Sequence, residues 1–285
     1  MNIQQECIGC IAAQARRVCD AICADEALRS KITATVDQAL LSADFASSPP
    51  AVAAPLYEEM ARIAKKEDLY DLQKAQATAQ AREYLPYLRE MIERSEDPLN
   101  ALLKSAVVGN VIDLASEVVF DLHEAIETVF EAPFAHDDTE CLRISLEKAR
   151  TLLYIGDNTG EHLFDALAIE TLSKLYPDLH ITYMVRGNPI INDVTMKEAL
   201  EAGMDKVCTL IDSGVPTPGF IYESALPEAQ KAFDTADLIL AKGMGNYECM
   251  TPPRRGGICF LLKVKCSVVA SSLGQEIGDI VCRYV

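Results

Sequence analysis

The sequence predicts an α/β protein in two parts: an α-helical region over residues 1–130 and a doubly wound, mostly parallel sheet over residues 148–285. Three observations carry this. The first part sets apolar residues at helical spacing and requires no strand. After about residue 148, short β-rich runs alternate with helical ones at the spacing of βαβ units. Those strand runs are almost continuously apolar, as suits strands covered on both faces.

In chain order, Ile8, Ile11, Ala15, Val18 and Ile22 recur at steps of three and four and draw one apolar stripe down a first helix. A loop rich in Ala, Ser and Pro is expected over residues 46–55, then a long helical run to Arg94 that Pro86 should bend or break. Asp97-Pro98 reads as a cap with proline at the first helical position. Gly109-Asn110 marks a local distortion in the run KSAVVGNVIDLA. In the second part, strands are expected at 151–155, 179–185, 206–211 and 238–241, with 258–264 or 267–270 closing the set. Helices are expected at 161–175, 195–202 (closed by Gly203) and 225–233.

A chain of 285 residues suits one large domain or two modest ones, and 49% hydrophobic with 24% charged residues excludes a disordered, collagenous or coiled-coil protein. Twenty-six basic against 43 acidic residues give a net charge of −17. Such a surface repels phosphate backbones and anionic lipid, so neither nucleic acid nor membrane is an expected partner. No apolar run approaches the roughly 20 residues that cross a bilayer, and the first residues lack a secretory pattern. Ten cysteines in a chain this long read as reduced thiols, so a cytoplasmic location is expected.

In an open parallel sheet, ligands bind beyond the carboxyl ends of the strands. Four segments fall there: Gly156-Asp157-Asn158-Thr159-Gly160-Glu161, then Arg186-Gly187-Asn188-Pro189-Ile190-Ile191-Asn192-Asp193, then Asp212-Ser213-Gly214, and last Lys242-Gly243-Met244-Gly245-Asn246-Tyr247-Glu248. Asp and Asn oxygens are hard ligands, suited to Mg²⁺, Mn²⁺ or a similar divalent ion. Lysine and glycine-rich backbone suit a phosphate. Together they point to metal-assisted phosphoryl chemistry.

Each group also has a plainer reading. Asn158 with Glu161 three residues on makes a helix cap, and Lys242 a solvated surface lysine. Asp193 is a possible cap too, yet Thr195 and Glu198 already form a capping box, which leaves Asp193 in the loop. Glu161 and Asp165 lie four apart near a helix start; Glu161 is retained as a site candidate and Asp165 read as structural. A GxGxxG fingerprint after the first strand, a Walker A loop and a GxSxG elbow are all absent. The four histidines (His123, His136, His162 and His180) lack metal-ligand spacing.

GDNTGEHLFD at 156–165, RGNPIINDVT at 186–195 and KGMGNYE at 242–248 resemble motifs of the metal-dependent damage-control phosphatases, long catalogued as a domain-of-unknown-function family, family 89. CIGC near the N-terminus and KSAVVGNVIDLA at 104–115 resemble its compact prokaryotic branch. The resemblance covers nearly the whole chain. It implies a Rossmann-like α/β/α domain behind an α-helical N-terminal domain, and hydrolysis of small phosphomonoesters. Sugar phosphates, phosphopantetheine-like compounds and nucleotides all fit as substrates. It also implies one divalent ion (Mn²⁺, Co²⁺, Ni²⁺ or Mg²⁺) held by Asp157, Asn158 and Asp193, with Lys242 on the substrate phosphate. Gly243, Asn246, Glu161 and Arg186 are further candidates for contact with substrate, as is Asn110, which shares a family motif with Asp113.

Two alternatives stand beside this. A carboxyl methyltransferase using S-adenosylmethionine would need a glycine-rich first loop, missing here, and has no task for an Asp-Asn metal pair. A non-enzymatic thiol module on Cys7 and Cys10 would need further ligands, for example Cys259 or Cys266, and small buried thiols are the plainer reading of that pair.

Overall fold

The strands assemble into one seven-stranded sheet in the order β1-β7-β6-β5-β2-β3-β4. These strands are His136–Asp137 (β1), Thr151–Ile155 (β2), His180–Val185 (β3), Thr209–Asp212 (β4), Leu238–Lys242 (β5), Ile258–Lys263 (β6) and Ile280–Tyr284 (β7). This is a computed structural model, and it describes residues 1–111 and 122–285. All pairings are parallel except that of β6 with β7. The mostly parallel α/β sheet read from the sequence is therefore present.

Side chains alternate between two buried faces. Leu152, Tyr154, Leu238 and Leu240 enter one core, while Leu153, Ile155, Ile239 and Ala241 enter the other. Burial on both sides is why these strands read as unbroken apolar runs. The first face is covered by α4 (Asp71–Arg94), α5 (Pro98–Val111) and α8 (Glu161–Leu175). Phe233 of α10 (Pro227–Thr235), Tyr247 of α11 (Gly243–Met250) and Val269 of α12 (Ser267–Leu273) fill the second.

Three N-terminal helices, α1 (Gln5–Ala21), α2 (Glu26–Leu40) and α3 (Pro49–Ala64), enclose a separate core. There Ile11, Ala15 and Val18 of the predicted stripe are buried among Ile32, Val36 and Met60. Each fully buried aliphatic side chain contributes about 1.5–3 kcal/mol. The remaining helices are α6 (Leu122–Glu131), α7 (Thr139–Leu146) and α9 (Met196–Glu201).

Several local expectations are corrected. The loop expected over 46–55 ends early, because Ser48 accepts from the Ala51 amide and the two prolines after it open α3. Pro86 does not end α4, since burial of Ala81, Leu88 and Ile92 holds the helix on the sheet across it. Gly109 and Asn110 sit within α5, which runs on to Val111; the Asn110 side chain and all of Asp113 lie outside the described residues. Residues 267–270 belong to helix α12, and of the two expected alternatives it is 258–264 that forms a strand, β6, with β7 and β1 lying beyond it. The expected strand at 206–211 starts later, at Thr209, after a tight turn over Met204–Lys206. The segment after β5 coils at once into α11. Neither β1 nor β7 is expected from the sequence: β1 has only two residues, and in β7 the apolar run over 280–282 stops at Arg283.

Candidate active site

From β2 the chain moves outward to β3 and β4, then returns to the other side of β2 as β5. The connections reverse direction between β2 and β5, and a crevice opens beyond their carboxyl ends. Ile155 pairs with Ala241, so Asp157 and Gly243 face each other two residues past the last rung.

Asp157 and Asp193 are brought together by backbone. The Val194 amide donates to the Asp157 carbonyl at 2.9 Å and the Thr159 amide to the Asn192 carbonyl at 2.7 Å, while Asn158 and Asp193 form an isolated antiparallel bridge. The capping box of Thr195 with Glu198 opens α9 as expected and leaves Asp193 in the loop. Arg186 Nε donates to Asp193 Oδ2 at 2.8 Å, and Nη2 stands 3.9 Å from Asp157 Oδ1. Neither Nη1 nor Nη2 has a hydrogen-bond partner among the described residues. Burial pushes both carboxyls upward from the usual range and the Asp193 charge adds to this at Asp157, while Arg186 pulls each back.

Asn158 does not cap α8, which begins behind Gly160. Its Nδ2 donates to Asp157 Oδ2 at 3.1 Å and to Glu161 Oε1 at 2.8 Å. Lys242 is fully buried, with Nζ 3.0 Å from Asp165 Oδ1 and 3.4 Å from Glu161 Oε2. Burial alone would lower the pKa of Lys242, but Asp165 and Glu161 hold it above its ordinary value. Asp165 also accepts from the hydroxyls of Tyr154 (2.6 Å) and Tyr183 (2.9 Å), a closed network inside the core. Asn246 donates to the Gly156 and Lys242 carbonyls and accepts from the Phe220 amide, locking the β2 and β5 ends together.

A cavity of about 1050 Å³ opens above this floor, lined there by Asp157, Asn158, Glu161 and Asp193. Arg186, Lys242, Gly243 and Asn246 lie behind the wall and position what lines it. Two glycines set the spacing. A Cβ on Gly243 (φ +78°) would fall 2.0 Å from Asp157 Oδ2, and one on Gly109 would fall 2.3 Å from Glu161 Cγ. Gly109 thus marks a close approach of α5 to the site, where a local distortion is expected from the sequence. The far wall comes from α1 and α3, with Cys7, Gln14, Arg17 and Pro50, and from Lys265 and Cys266 beyond β6. Glu248 of α11 lines the cavity as well. Sequence reading passes over it, although Met244, Gly245 and Glu248 carry the spacing of one helical face.

Among the described residues, no three His, Cys, Asp or Glu side chains converge as a ready-made metal cage. Cys7 and Cys10 share the cavity wall with Cys266, but Cys259 packs on Cys282 at 3.6 Å between β6 and β7. The donor set at the floor is two buried carboxylates and one amide oxygen. It fits a hard divalent ion that keeps several waters, as Mg²⁺ does.

The damage-control phosphatase ARMT1-like domain model matches residues 3–281. A damage-control phosphatase of Archaeoglobus fulgidus is 32% identical over 294 residues, covering 100% of both chains. A damage-control phosphatase of Pyrococcus horikoshii is 30% identical, covering 99% of this chain and 98% of the relative. The crystal structure of a DUF89 family protein from P. horikoshii superposes with a TM-score of 0.91 at 29% identity, covering 100% of this chain and 99% of that one. With the family model matched over residues 3–281 and full-length relatives at 30–32% identity, this chain belongs to the damage-control phosphatase ARMT1-like domain family.

Proposed function

We propose that this protein is a divalent-metal-dependent phosphomonoester hydrolase acting on small phosphorylated metabolites in metabolite damage control. One observation carries the metal: Asp157 and Asp193 are buried side by side at the switch point, with a single arginine spanning both. Two like charges held in low dielectric favour a divalent counterion. Asp157, Asp193 and the Asn158 amide oxygen would hold it. When bound, the ion neutralises phosphoryl oxygens and acts as a Lewis acid on them.

The rest is the work of the chain itself. Arg186 fixes the Asp193 carboxylate and leaves two guanidinium nitrogens to oppose negative charge at the floor. Asn158 holds Asp157 and Glu161 at a set spacing, so little reorganisation is needed when charge develops. Lys242, placed on the substrate phosphate by the family resemblance, acts from behind Glu161 and lends the site positive charge without entering the cavity. The cavity is several times larger than a phosphate needs, which supports a substrate with a sizeable organic part. A cytoplasmic location is part of the same reading.

The test is phosphate release from a panel of sugar phosphates, phosphopantetheine-like esters and nucleotides, with each of Mg²⁺, Mn²⁺, Co²⁺ and Ni²⁺ and with a chelator. Activity that appears with metal, vanishes with chelator and is lost in Asp157→Asn and Asp193→Asn is expected. Full activity in chelator would overturn the metal reading, and no release from any ester would overturn the phosphatase.

A further inference from the structure

α11 brings a carboxyl group of its own, Glu248, to the cavity wall. Its cavity face is Met244, Gly245 and Glu248, and its first residue, Gly243, packs against the Asp157 carboxylate. Glu248 stands five residues along, roughly 7.5 Å of helix rise above that floor. Helical side chains lean toward the helix N-terminus, so its carboxyl is tilted back toward Asp157. That height leaves room at the floor for a phosphoryl group between Asp157 and the Glu248 carboxyl, which then faces the ester oxygen.

Glu248 is also untied. The residue accepts the Met1 amino group through its backbone carbonyl, and among the described residues no hydrogen bond or salt bridge holds its carboxyl. Glu161, the glutamate at the floor, accepts from both Asn158 Nδ2 and Lys242 Nζ and is held as an acceptor. A group that must hand over a proton is better left free of donors. The charged and titratable groups around Glu248 are the Met1 amino group, Asp157, Lys265 and the thiols of Cys7, Cys249 and Cys266. Burial pushes its pKa up to about 7, with the Met1 amino group opposing and Asp157 adding to the rise. The proton is therefore available near neutrality.

We propose that Glu248 is a catalytic residue, the general acid that protonates the leaving oxygen of the phosphomonoester. The proposal rests on the phosphatase reading. Water oxygen bonds to phosphorus as the phosphorus–ester oxygen bond breaks. The ester oxygen takes the Glu248 proton and departs as an alcohol. The attacking water keeps one proton on the phosphate it becomes and releases the other to solvent, solvent returns a proton to the Glu248 carboxylate, and ester plus water becomes alcohol plus phosphate.

The experiment compares kcat/KM for an aliphatic phosphomonoester and for p-nitrophenyl phosphate, whose phenolate leaves without protonation, at saturating Mn²⁺. Glu248→Gln is expected to lower the aliphatic rate by about 100- to 10,000-fold and to leave the nitrophenyl rate within about tenfold of wild type. Its stabilisation by Mn²⁺, read as a thermal shift, should match wild type. Glu248→Asp, a shorter arm with the same acid, should recover part of the aliphatic rate. Equal losses on the two esters, an Asp variant no better than Gln, or a lost Mn²⁺ shift would each overturn the assignment. A wild-type protein that hydrolyses neither ester with any metal would overturn the phosphatase reading and this step with it.

Discussion

Replacing Gly243 by alanine tests whether backbone spacing sets the position of Asp157. Gly243 has φ +78° where β5 passes into α11. That conformation costs a residue with a Cβ about 1–2 kcal/mol. The new methyl would lie 2.0 Å from Asp157 Oδ2, 2.4 Å from Cγ and 2.8 Å from Oδ1. Ordinary contact begins near 3.4 Å, so the carboxylate must retreat by about 1.4 Å. It has little room, because Asn158 Nδ2 holds Oδ2 at 3.1 Å and the Val194 amide holds the backbone carbonyl. Overpacking of this kind costs about 1–3 kcal/mol, for a total near 2–5 kcal/mol. For a chain of this size, each kcal/mol lowers Tm by about 2–4 °C. A shift of about 1 Å in a reacting group costs about 100-fold in rate, equivalent to roughly 2.7 kcal/mol of barrier. Calorimetry and phosphate release at saturating Mn²⁺ read the two effects separately. Gly256→Ala is the control, since its nearest neighbour is the Val285 carbonyl oxygen at 3.9 Å. If Gly243→Ala matches that control in both Tm and turnover, the close approach does not govern the site.

Lys242→Met removes a cation from between Asp165 and Glu161 and is expected to cost about 3–5 kcal/mol in a urea titration, because two buried carboxylates lose their partner. An unchanged urea midpoint with lost turnover would instead put the ammonium on substrate. Mn²⁺ at 100 times its Kd should stabilise the wild type by about 2.7 kcal/mol. Asp157→Asn should abolish that gain without destabilising the metal-free protein, since a buried charge is removed; an undiminished Mn²⁺ shift would remove Asp157 from the ligand set. His162 is buried with Nδ1 accepting the Gly160 amide, and burial lowers its pKa to about 4 from the ordinary 6.5. A depressed folded pKa contributes stability that is full above pH 6.5 and falls away as pH drops toward 4. His162→Gln should therefore show a shallower loss of Tm across that window, and an identical slope would contradict the assignment. Gly109→Ala should lower turnover by pushing Glu161 aside, and unchanged kinetics would show that α5 yields instead.

The sheet was readable because burial on both faces leaves the same local mark, a short apolar run, at β2, β3, β5 and β6. The ligand-bearing edge followed from the chain order alone: parallel strands put their carboxyl ends on one side, so Asp157, Asp193 and Lys242 had to gather there. Capping chemistry was equally local, and Thr195 with Glu198 could be read as a pair. Tertiary structure decided what depends on distance between remote segments. Lys242 reads in sequence as a residue facing a ligand, yet Asp165 and Glu161 from α8 enclose it in the core. Pro86 reads as a break, yet burial on either side keeps α4 whole. β7 and β1 exist because β6 offers an edge to pair with, not because their own residues demand a strand. Glu248 faces the cavity only because Gly243 lets α11 close on Asp157, and Gly109 matters only because α8 passes within a methyl's width of it. Periodicity and caps are written between neighbours a few residues apart, whereas burial, ion pairing and close approach arise between segments that only the folded chain brings together.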